Sequence, residues 1–528
     1  AAVLNDLNAK HRFLTDSLGR GYRAGAADRL VEALDSDGQR LTALLRDPAR
    51  TRFTWLLLPE ALSLAETRDG VAALAAAGIA VAGLVVNRVT PPPPRPCAHC
   101  AARRAADARV LDEARRAFPA LPVRVLPALD VEPRGLAGLR KLGALISAEC
   151  PRASTAGAGL RASSRIARTG GLMGGRLAPP LSNERGRKKS GSGLTADGDE
   201  QPRGHVPPWL DVIAPAGVRL VVFAGKGGVG KTTCAAAAAI SLAAARPAAR
   251  VLALSVDPAH SLGDVLGVEI GDEERTIPGA PDGLRAREVD ADRAFARLRA
   301  RYQQAVEDTF ESLLRGSRFD VAYDREALRG LMDLAPPGLD ELFAVLSIIE
   351  ALLERQPPVD IVVLDTAPTG HALRLLEMPV TALGWVHALL AILLKYREVV
   401  GLGEVAAELV TTARRLRELA GLLTDAQRAR AVAVTRAAEL PRRETERLLA
   451  ALRRLRLAVP AVVVNALGGE GCARCAAAHR RERRVAAALA RQRTTGRHRG
   501  GIISTPATAP PPRGGESLAA WARTWELE

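Results

Sequence analysis

The stretch "FAGKGGVGKTT", residues 223–233, concentrates more chemistry than any other part of the chain. Gly225, Gly227, Gly228 and Gly230 let backbone N–H groups turn inward around phosphate oxygens, where a Cβ would obstruct them, and Val229 and Thr233 complete the loop. Lys231 carries the charge that β- and γ-phosphates require, Thr232 offers a hydroxyl to Mg²⁺, and the helix that must follow adds its dipole. A second stretch, "VDIVVLDTAPTGH" (359–371), places Asp365 at the carboxyl end of a hydrophobic strand. Ligands of open α/β sheets bind at that edge, and a carboxylate there can hold Mg²⁺ through water. ATP with Mg²⁺ is the ligand these residues imply. Phosphate binding alone leaves two features unexplained: the additional lysine, Lys226, and a loop that begins only at residue 223 of 528.

The elements around the loop supply its context. "VRLVVFA" reads as a buried strand, "KTTCAAAAAISLAAA" as a helix and "RVLALSVD" as the next strand. Strand, glycine loop and helix in that order are what a phosphate-binding loop needs. They predict a complete α/β unit over 217–528, with a doubly wound, mostly parallel sheet and an inserted helical subdomain.

An internal repeat accounts for the loop's position. "PEALSLAET" (59–67), followed by "GLVVN" ending at Asn87, matches "AAELPRRET" (437–445), followed by "AVVVN" ending at Asn465, and both matches are offset by 378 positions. Cys97-Ala98-His99-Cys100 maps onto Cys472-Ala473-Arg474-Cys475 at an offset of 375, and Pro133-Arg134-Gly135 onto Pro512-Arg513-Gly514 at 379. Residues 1–147 are therefore expected to be a partial unit without its P-loop half, and the loop opens the second, complete one. Residues 148–216, rich in Gly, Ser and Arg without a period, read as a disordered linker.

Composition narrows the function classes. A hydrophobic share of 48% and a mean hydropathy of +0.02 are ample for buried cores. The apolar stretch Ala382 to Leu394 is interrupted by Trp385 and His387 and falls short of the roughly 18 residues of a membrane span, and no signal-peptide pattern opens the sequence. The net charge of +16 comes largely from Arg scattered through alanine-rich helices such as "ALRRLRLAV", which reads as solvated faces and not as a specific nucleic-acid site. Four of the six cysteines form the two CxxC pairs, which points to metal or redox chemistry in a reducing cytoplasm and away from a disulfide scaffold.

Four motifs together, "KGGVGKTT", "SVDPAHSLGDVLG" (255–267), "APPGLDEL" (335–342) and "DTAPTGHALRLLEMP" (365–379), resemble the family of ArsA arsenite-pump ATPases and Get-pathway ATPases that target tail-anchored membrane proteins. The resemblance implies that Lys226 reaches across an interface to the nucleotide of a facing unit, so that closure and hydrolysis are coupled through self-association of units. It implies that Asp257 orients or activates the attacking water, and that His260 and His371 relay nucleotide state. It puts the base-recognising Asn on Asn465. The family's Glu, 27 residues earlier, falls on Ala438 with Glu439 beside it, whereas the first copy keeps both residues as Glu60 and Asn87. The pairs Cys97/Cys100 and Cys472/Cys475 resemble the family's zinc clasp, here expected to close within one chain as a structural Cys₄ site.

The reading that follows is an ATPase coupling closure of two units to transport, the energising subunit of an arsenite-type anion pump with a membrane carrier as partner. It would be cytoplasmic and peripheral to a membrane through that partner. One alternative is an ATPase for tail-anchored client proteins. Another is an iron–sulfur electron-transfer ATPase resembling the nitrogenase iron protein. No Cys lies between Cys234 and Cys472, which weighs against a metalloid site between the switches. "MPVTALGWVHALLAILLKYREVVGLG" (378–403) reads as helical core or as the wall of a client groove.

Overall fold

The computed structural model describes residues 26–148, 206–257, 261–290, 293–294, 339–354, 356–395, 403–469, 471–494 and 500–528. The first unit runs α1 (Ala26–Arg46), β1 (Phe53–Leu57), α2 (Ala61–Ala76), β2 (Val81–Val89), α3 (Ala98–Ala117), β3 (Val123–Pro127) and α4 (Gly135–Ala148). Its three strands form a parallel sheet in the order β1-β2-β3. Helices α2 and α3 are the crossovers that parallel neighbours require.

In the second unit, α5 (Pro208–Ile213), β4 (Leu220–Gly225), α6 (Lys231–Ala245), β5 (Val251–Ser255), α7 (Ser261–Leu266), β6 (Arg275–Thr276) and β7 (Leu284–Glu288) come first. Then follow α8 (Leu339–Ile349), which continues into a π turn at Glu350–Glu354, β8 (Ile361–Asp365), α9 (Thr369–Lys395) and α10 (Gly403–Thr424). The unit closes with β9 (Ala429–Arg436), α11 (Glu439–Arg454), β10 (Ala458–Leu467), α12 (Ala473–Thr494), β11 (Gly501–Pro506), α13 (Gly515–Ala522) and β12 (Glu526–Leu527). The nine strands are ordered β12-β11-β10-β9-β4-β8-β5-β7-β6. All neighbours are parallel except the two edge pairs, β12 on β11 and β6 on β7. The chain leaves β4 toward β5 on one side and later builds β9, β10 and β11 on the other, so β4 ends at the switch point where an open sheet gapes.

The central strands are buried on both faces because helices cover both. Their sequences are accordingly continuous apolar runs without alternation. One core gathers Leu364 and Val464 with Leu416, Leu448 and Ile348 of the α8–α11 side. The opposite core packs Val221, Val363 and Val463 against the alanines of α6, Leu518 of α13 and Trp209 of α5. Small alanines let α6 lie close on the sheet.

The repeat is structural as well as textual. β1, α2, β2, α3, β3 and α4 correspond to β9, α11, β10, α12, β11 and α13. Left-handed backbone recurs at equivalent places: Gly78 and Arg456 at φ 74° and 59°, Arg88 and Ala466 at 63° and 58°, Gly135 and Gly514 at 59° and 81°.

The expected linker over 148–216 needs correction at its end, and residues 149–205 lie outside the described residues. Pro208–Ile213 form a helix whose Trp209, Leu210 and Ile213 are buried, and the ring of Trp209 lies 4.6 Å from that of Trp525. A compositional reading carried past Gly204 misses this short apolar face. In α9, Met378, Ala382 and Val386 enter the core while Val380 and Trp385 face outward, so the segment is core on one side and an exposed apolar face on the other.

Candidate functional site: a nucleotide loop and a thiolate cluster

Strand β4 delivers the glycine loop, and backbone geometry explains its glycines. Gly228 and Gly230 have φ of 73° and 88°, values that a side chain disfavours. A Cβ on Gly225 would lie 2.3 Å from the carbonyl oxygen of Val434, and one on Gly230 would lie 2.2 Å from Nδ2 of Asn465. Lys231 and Thr232 open α6 and are both buried. Nζ of Lys231 approaches the carbonyl of Lys226 at 3.5 Å. The Thr232 hydroxyl sits 3.0 Å from that of Ser261 at the start of α7.

Asp365 ends β8 and is paired in register with Phe223 on β4 and Ser255 on β5, which sets it beside the mouth of the loop. Its Oδ2 accepts from Ser255 Oγ at 3.4 Å, while Oδ1 is buried without a hydrogen-bond partner. Burial pushes its carboxyl up to about 7, offset in part by Lys231 and Thr232. A buried carboxylate with an orphaned oxygen beside a threonine hydroxyl is a donor set of hard oxygens, which fits Mg²⁺. Asp257 follows β5, its backbone N–H donating to Ser255 Oγ at 3.4 Å. His371 meets the buried Glu341 of α8 at 3.0 Å through Nδ1, and His260 lies outside the described residues.

Asn465 is drawn into the loop. Its Nδ2 donates to the Val229 carbonyl at 2.7 Å and its Oδ1 accepts from Thr505 at 2.8 Å. Of the two candidates for the missing Glu, Ala438 is the N-cap residue of α11, and Glu439 is engaged by Arg442 and Arg443 at 2.8 and 3.0 Å. Those arginines hold its carboxyl down at about 2. Glu60 of the first unit reaches Arg436 of the second at 3.7 Å, and Asn87 lies two residues before the end of the equivalent strand β2, where no phosphate loop adjoins it among the described residues.

The two CxxC pairs converge from opposite units of one chain. Cys97 and Cys472 each directly precede a helix, α3 and α12, and Cys100 and Cys475 lie within its first turn. The Sγ atoms of Cys97 and Cys475 are 4.0 Å apart, those of Cys100 and Cys472 3.9 Å, Cys100 and Cys475 3.3 Å, and Cys472 and Cys475 3.7 Å. All four lie within 4.8 Å of one another. Zn–S bonds of about 2.3 Å in a tetrahedron separate sulfurs by about 3.8 Å, so the cluster fits a single zinc. A multi-iron cluster would place its own metals and sulfides between the thiolates and spread them further. Backbone N–H groups of Cys100 and Cys472 lower the Cys97 thiol to about 6, and burial raises that of Cys475 to about 12. Arg474 braces the junction, donating to the carbonyls of Pro91 and Pro92 at 2.9 and 3.1 Å.

A glycine loop at the switch point, a buried lysine and threonine opening the next helix, and a carboxylate on the adjacent strand define the nucleotide site of a P-loop ATPase. The sequence profile of the anion-transporting ATPase family, ArsA_ATPase, matches residues 13–148 and 218–493, and the chain belongs to that family. Among curated proteins it is similar to ATPase GET3 of Komagataella phaffii, at 30% identity over 299 residues covering 53% of this chain and 82% of the relative. ATPase GET3 of Ajellomyces dermatitidis is 32% identical over 286 residues, covering 51% and 79%. The get3 ATPase of Schizosaccharomyces pombe is 33% identical over 169 residues, covering 32% and 46%.

Several site residues escape sequence reasoning. Ser255 and Ser261 lie inside the 255–267 motif without a role of their own in it, and Thr505 is a single hydroxyl near the end of β11 that nothing in its spacing marks. Glu288, buried at the end of β7, accepts from the N–H groups of Leu262 and Gly263 at 2.7 and 3.0 Å and so anchors α7. The only signal for it was a carboxylate inside an otherwise strand-like run, "LRAREV".

Proposed function

We propose that this chain is an ATPase of the Get type, which uses nucleotide-driven movement of its two units to handle tail-anchored membrane proteins, rather than the energising subunit of an arsenite pump. Membership of the family supports the ATPase, and relatives named GET3 support the Get branch. The observation that carries the choice is the cysteine arrangement. Four thiols meet at the junction of the units, whereas Cys234, on the helix that follows the loop, is wholly buried and its thiol is pushed far above the ordinary range by that burial. Among the described residues only Cys234 could serve a metalloid site near the loop, while a structural Zn²⁺ clasp between units has a full set of four thiols.

In this reading the loop N–H groups and Lys231 bind the β- and γ-phosphates, and Thr232 and Asp365 hold Mg²⁺. Mg²⁺ supplies charge neutralisation across the phosphates. Asp257 orients the attacking water, and Lys226 answers a facing unit. Asn465 borders the adenine while clamping the loop through Val229. His371 and Glu341 link the segment after Asp365 to α8, and through it to the exposed Val380 and Trp385 face of α9. The free thiols suit a reducing, cytoplasmic setting, with membrane contact through a partner.

The test is to measure ATPase activity and binding of a peptide bearing one C-terminal apolar helix, each with and without arsenite. Nucleotide-dependent capture of the helix is expected. Stimulation of turnover by arsenite without helix capture overturns the reading in favour of the pump.

A further inference from the structure

One face of α2 in the first unit is turned toward the nucleotide site of the second. Leu62 packs into the core that contains Leu262 and Val265 of α7, and α2 lies against α7. Residues four and seven positions further along a helix share that face, and they are Glu66 and Asp69. Glu66 is exposed on that face, and the packing around it removes part of its hydration. That loss raises its carboxyl pKa, Asp257 raises it further and Lys231 lowers it, with Glu60 and Asp264 adding smaller repulsions. Asp69 adds a small repulsion at Asp264, which is paired with Arg513 at 3.7 Å. The charges that Glu66 of the first unit feels from the second are thus Asp257, Lys231 and Asp264, the last of these paired with Arg513.

We propose that Glu66 is a specificity-determining residue of the nucleotide site, which acts from the facing unit to disfavour the γ-phosphate and so sets the preference between ATP and ADP. The inference rests on the ATPase reading. ATP differs from ADP by one phosphoryl group, which in the ATPase reading Lys231 would bind and Asp257 would face through the attacking water. Coulomb repulsion falls with distance, so a carboxylate on the α7-facing side of α2, whose field reaches Asp257 and Lys231, would act on the γ-phosphate more than on the α- and β-phosphates deeper in the loop. The contact of α2 with α7 couples that repulsion to the spacing of the units. ATP pushes Glu66 and its helix outward, and ADP lets them settle. The repeat supplies the control, because Glu444, the equivalent residue on α11, is paired with its own Arg447 at 2.9 Å.

The experiment measures dissociation constants of ADP and of a non-hydrolysable ATP analogue, each with Mg²⁺, for the full chain and for Glu66→Gln, Glu66→Ala and Glu444→Gln. Glu66→Gln and Glu66→Ala should tighten the ATP analogue about fivefold while moving ADP less than about twofold, with a smaller effect at high salt. Glu444→Gln should leave the ratio unchanged. Equal melting temperatures without nucleotide separate this from a structural role. A ratio unchanged in both Glu66 variants, or an analogue bound more weakly, overturns the proposal alone. Failure of the unaltered chain to bind either nucleotide overturns the ATPase reading and this proposal with it.

Discussion

Leu139 and Leu518 occupy the same place in the two copies, on α4 and α13, yet Leu139 is 56% exposed and Leu518 fully buried. Leu56 on β1 and its equivalent Val434 on β9 differ in the same way, at 64% and 0%. Both copies cover the other face of their sheet, where Leu57, Leu64, Leu84 and Leu111 form the small core of the first unit. What separates them is α6, the helix that follows the phosphate loop and lies on the second sheet. Among the described residues nothing equivalent covers the first. The same apolar pattern is thus core in one copy and surface in the other, and the helix that makes the difference is also the one that carries Lys231 and Thr232. Burial of this face and nucleotide chemistry come as one piece of chain.

The sharpest way to break the comparison is to remove the chemistry from the copy that has it. Lys231→Ala should lower turnover by about a thousandfold or more, the range expected when a preorganised charge in a phosphoryl-transfer site is lost. Asp257→Asn should lower turnover comparably while leaving the dissociation constant for the ATP analogue within a few-fold, since the role proposed for it is on the water. Steady-state rates beside equilibrium binding decide both. Residual turnover near the unaltered rate in Lys231→Ala would place hydrolysis elsewhere.

Next in size is the junction, where the copies are equal contributors. Changing Cys97 and Cys100 to Ser, or Cys472 and Cys475 to Ser, should each abolish metal binding outright, because two thiolates do not close a structural tetrahedron. The unaltered chain should hold one zinc per chain in dilute monomer. Half a zinc per chain with obligate dimers would mean that the thiolates are shared between molecules.

How much of this was legible beforehand depends on whether a residue's role is local. The glycines, Lys231, Thr232 and Asp365 are placed by their own strand, turn or helix, so their spacing alone marked the loop and the strand end that the fold sets side by side. The CxxC pairs were legible because a repeat printed them twice. Glu288 and Thr505 act across the fold, from β7 and β11, on groups more than 20 positions away in sequence, and the role proposed for Glu66 would be exerted from the opposite unit. No local pattern encodes such contacts. Pro208–Ile213 failed for the opposite reason, being one and a half turns of helix whose burial depends on Trp525 at the far end of the chain.

Stability offers a direct reading of the covered and uncovered faces. Leu518→Ala should cost about 2–5 kcal/mol, the usual range for a fully buried leucine. Leu139→Ala should change stability by less than about 0.5 kcal/mol, as for an exposed site. Thermal or urea unfolding of the pair checks this. A large loss at Leu139 would show that its face is covered in solution after all.

The smallest effect tests whether the copies are alike where they share no partner helix. In the first unit Asp107 accepts from the N–H of Thr90 at 2.7 Å, and in the second Glu482 accepts from the N–H of Gly468 at 2.6 Å. Thr90 and Gly468 are equivalent at the repeat offset of 378, and each follows the strand that leads to its CxxC. The acids sit on α3 and α12, the helices those CxxC motifs open, so each hydrogen bond ties the exit of a strand to the helix that presents the thiolates. One acid is a methylene longer than the other, which lets the bond survive a different helix placement. Charge-assisted hydrogen bonds to a backbone N–H contribute about 1–3 kcal/mol. Asp107→Ala and Glu482→Ala should therefore destabilise their own units by similar amounts, near the lower end of that range because water can reach the freed N–H. Each should also loosen metal binding a few-fold, since the thiolates lose their brace. Unfolding midpoints and zinc affinity measured side by side decide it. Equal losses would make the junction a symmetric device built from two copies, and a loss confined to Glu482→Ala would show that only the second unit positions the metal.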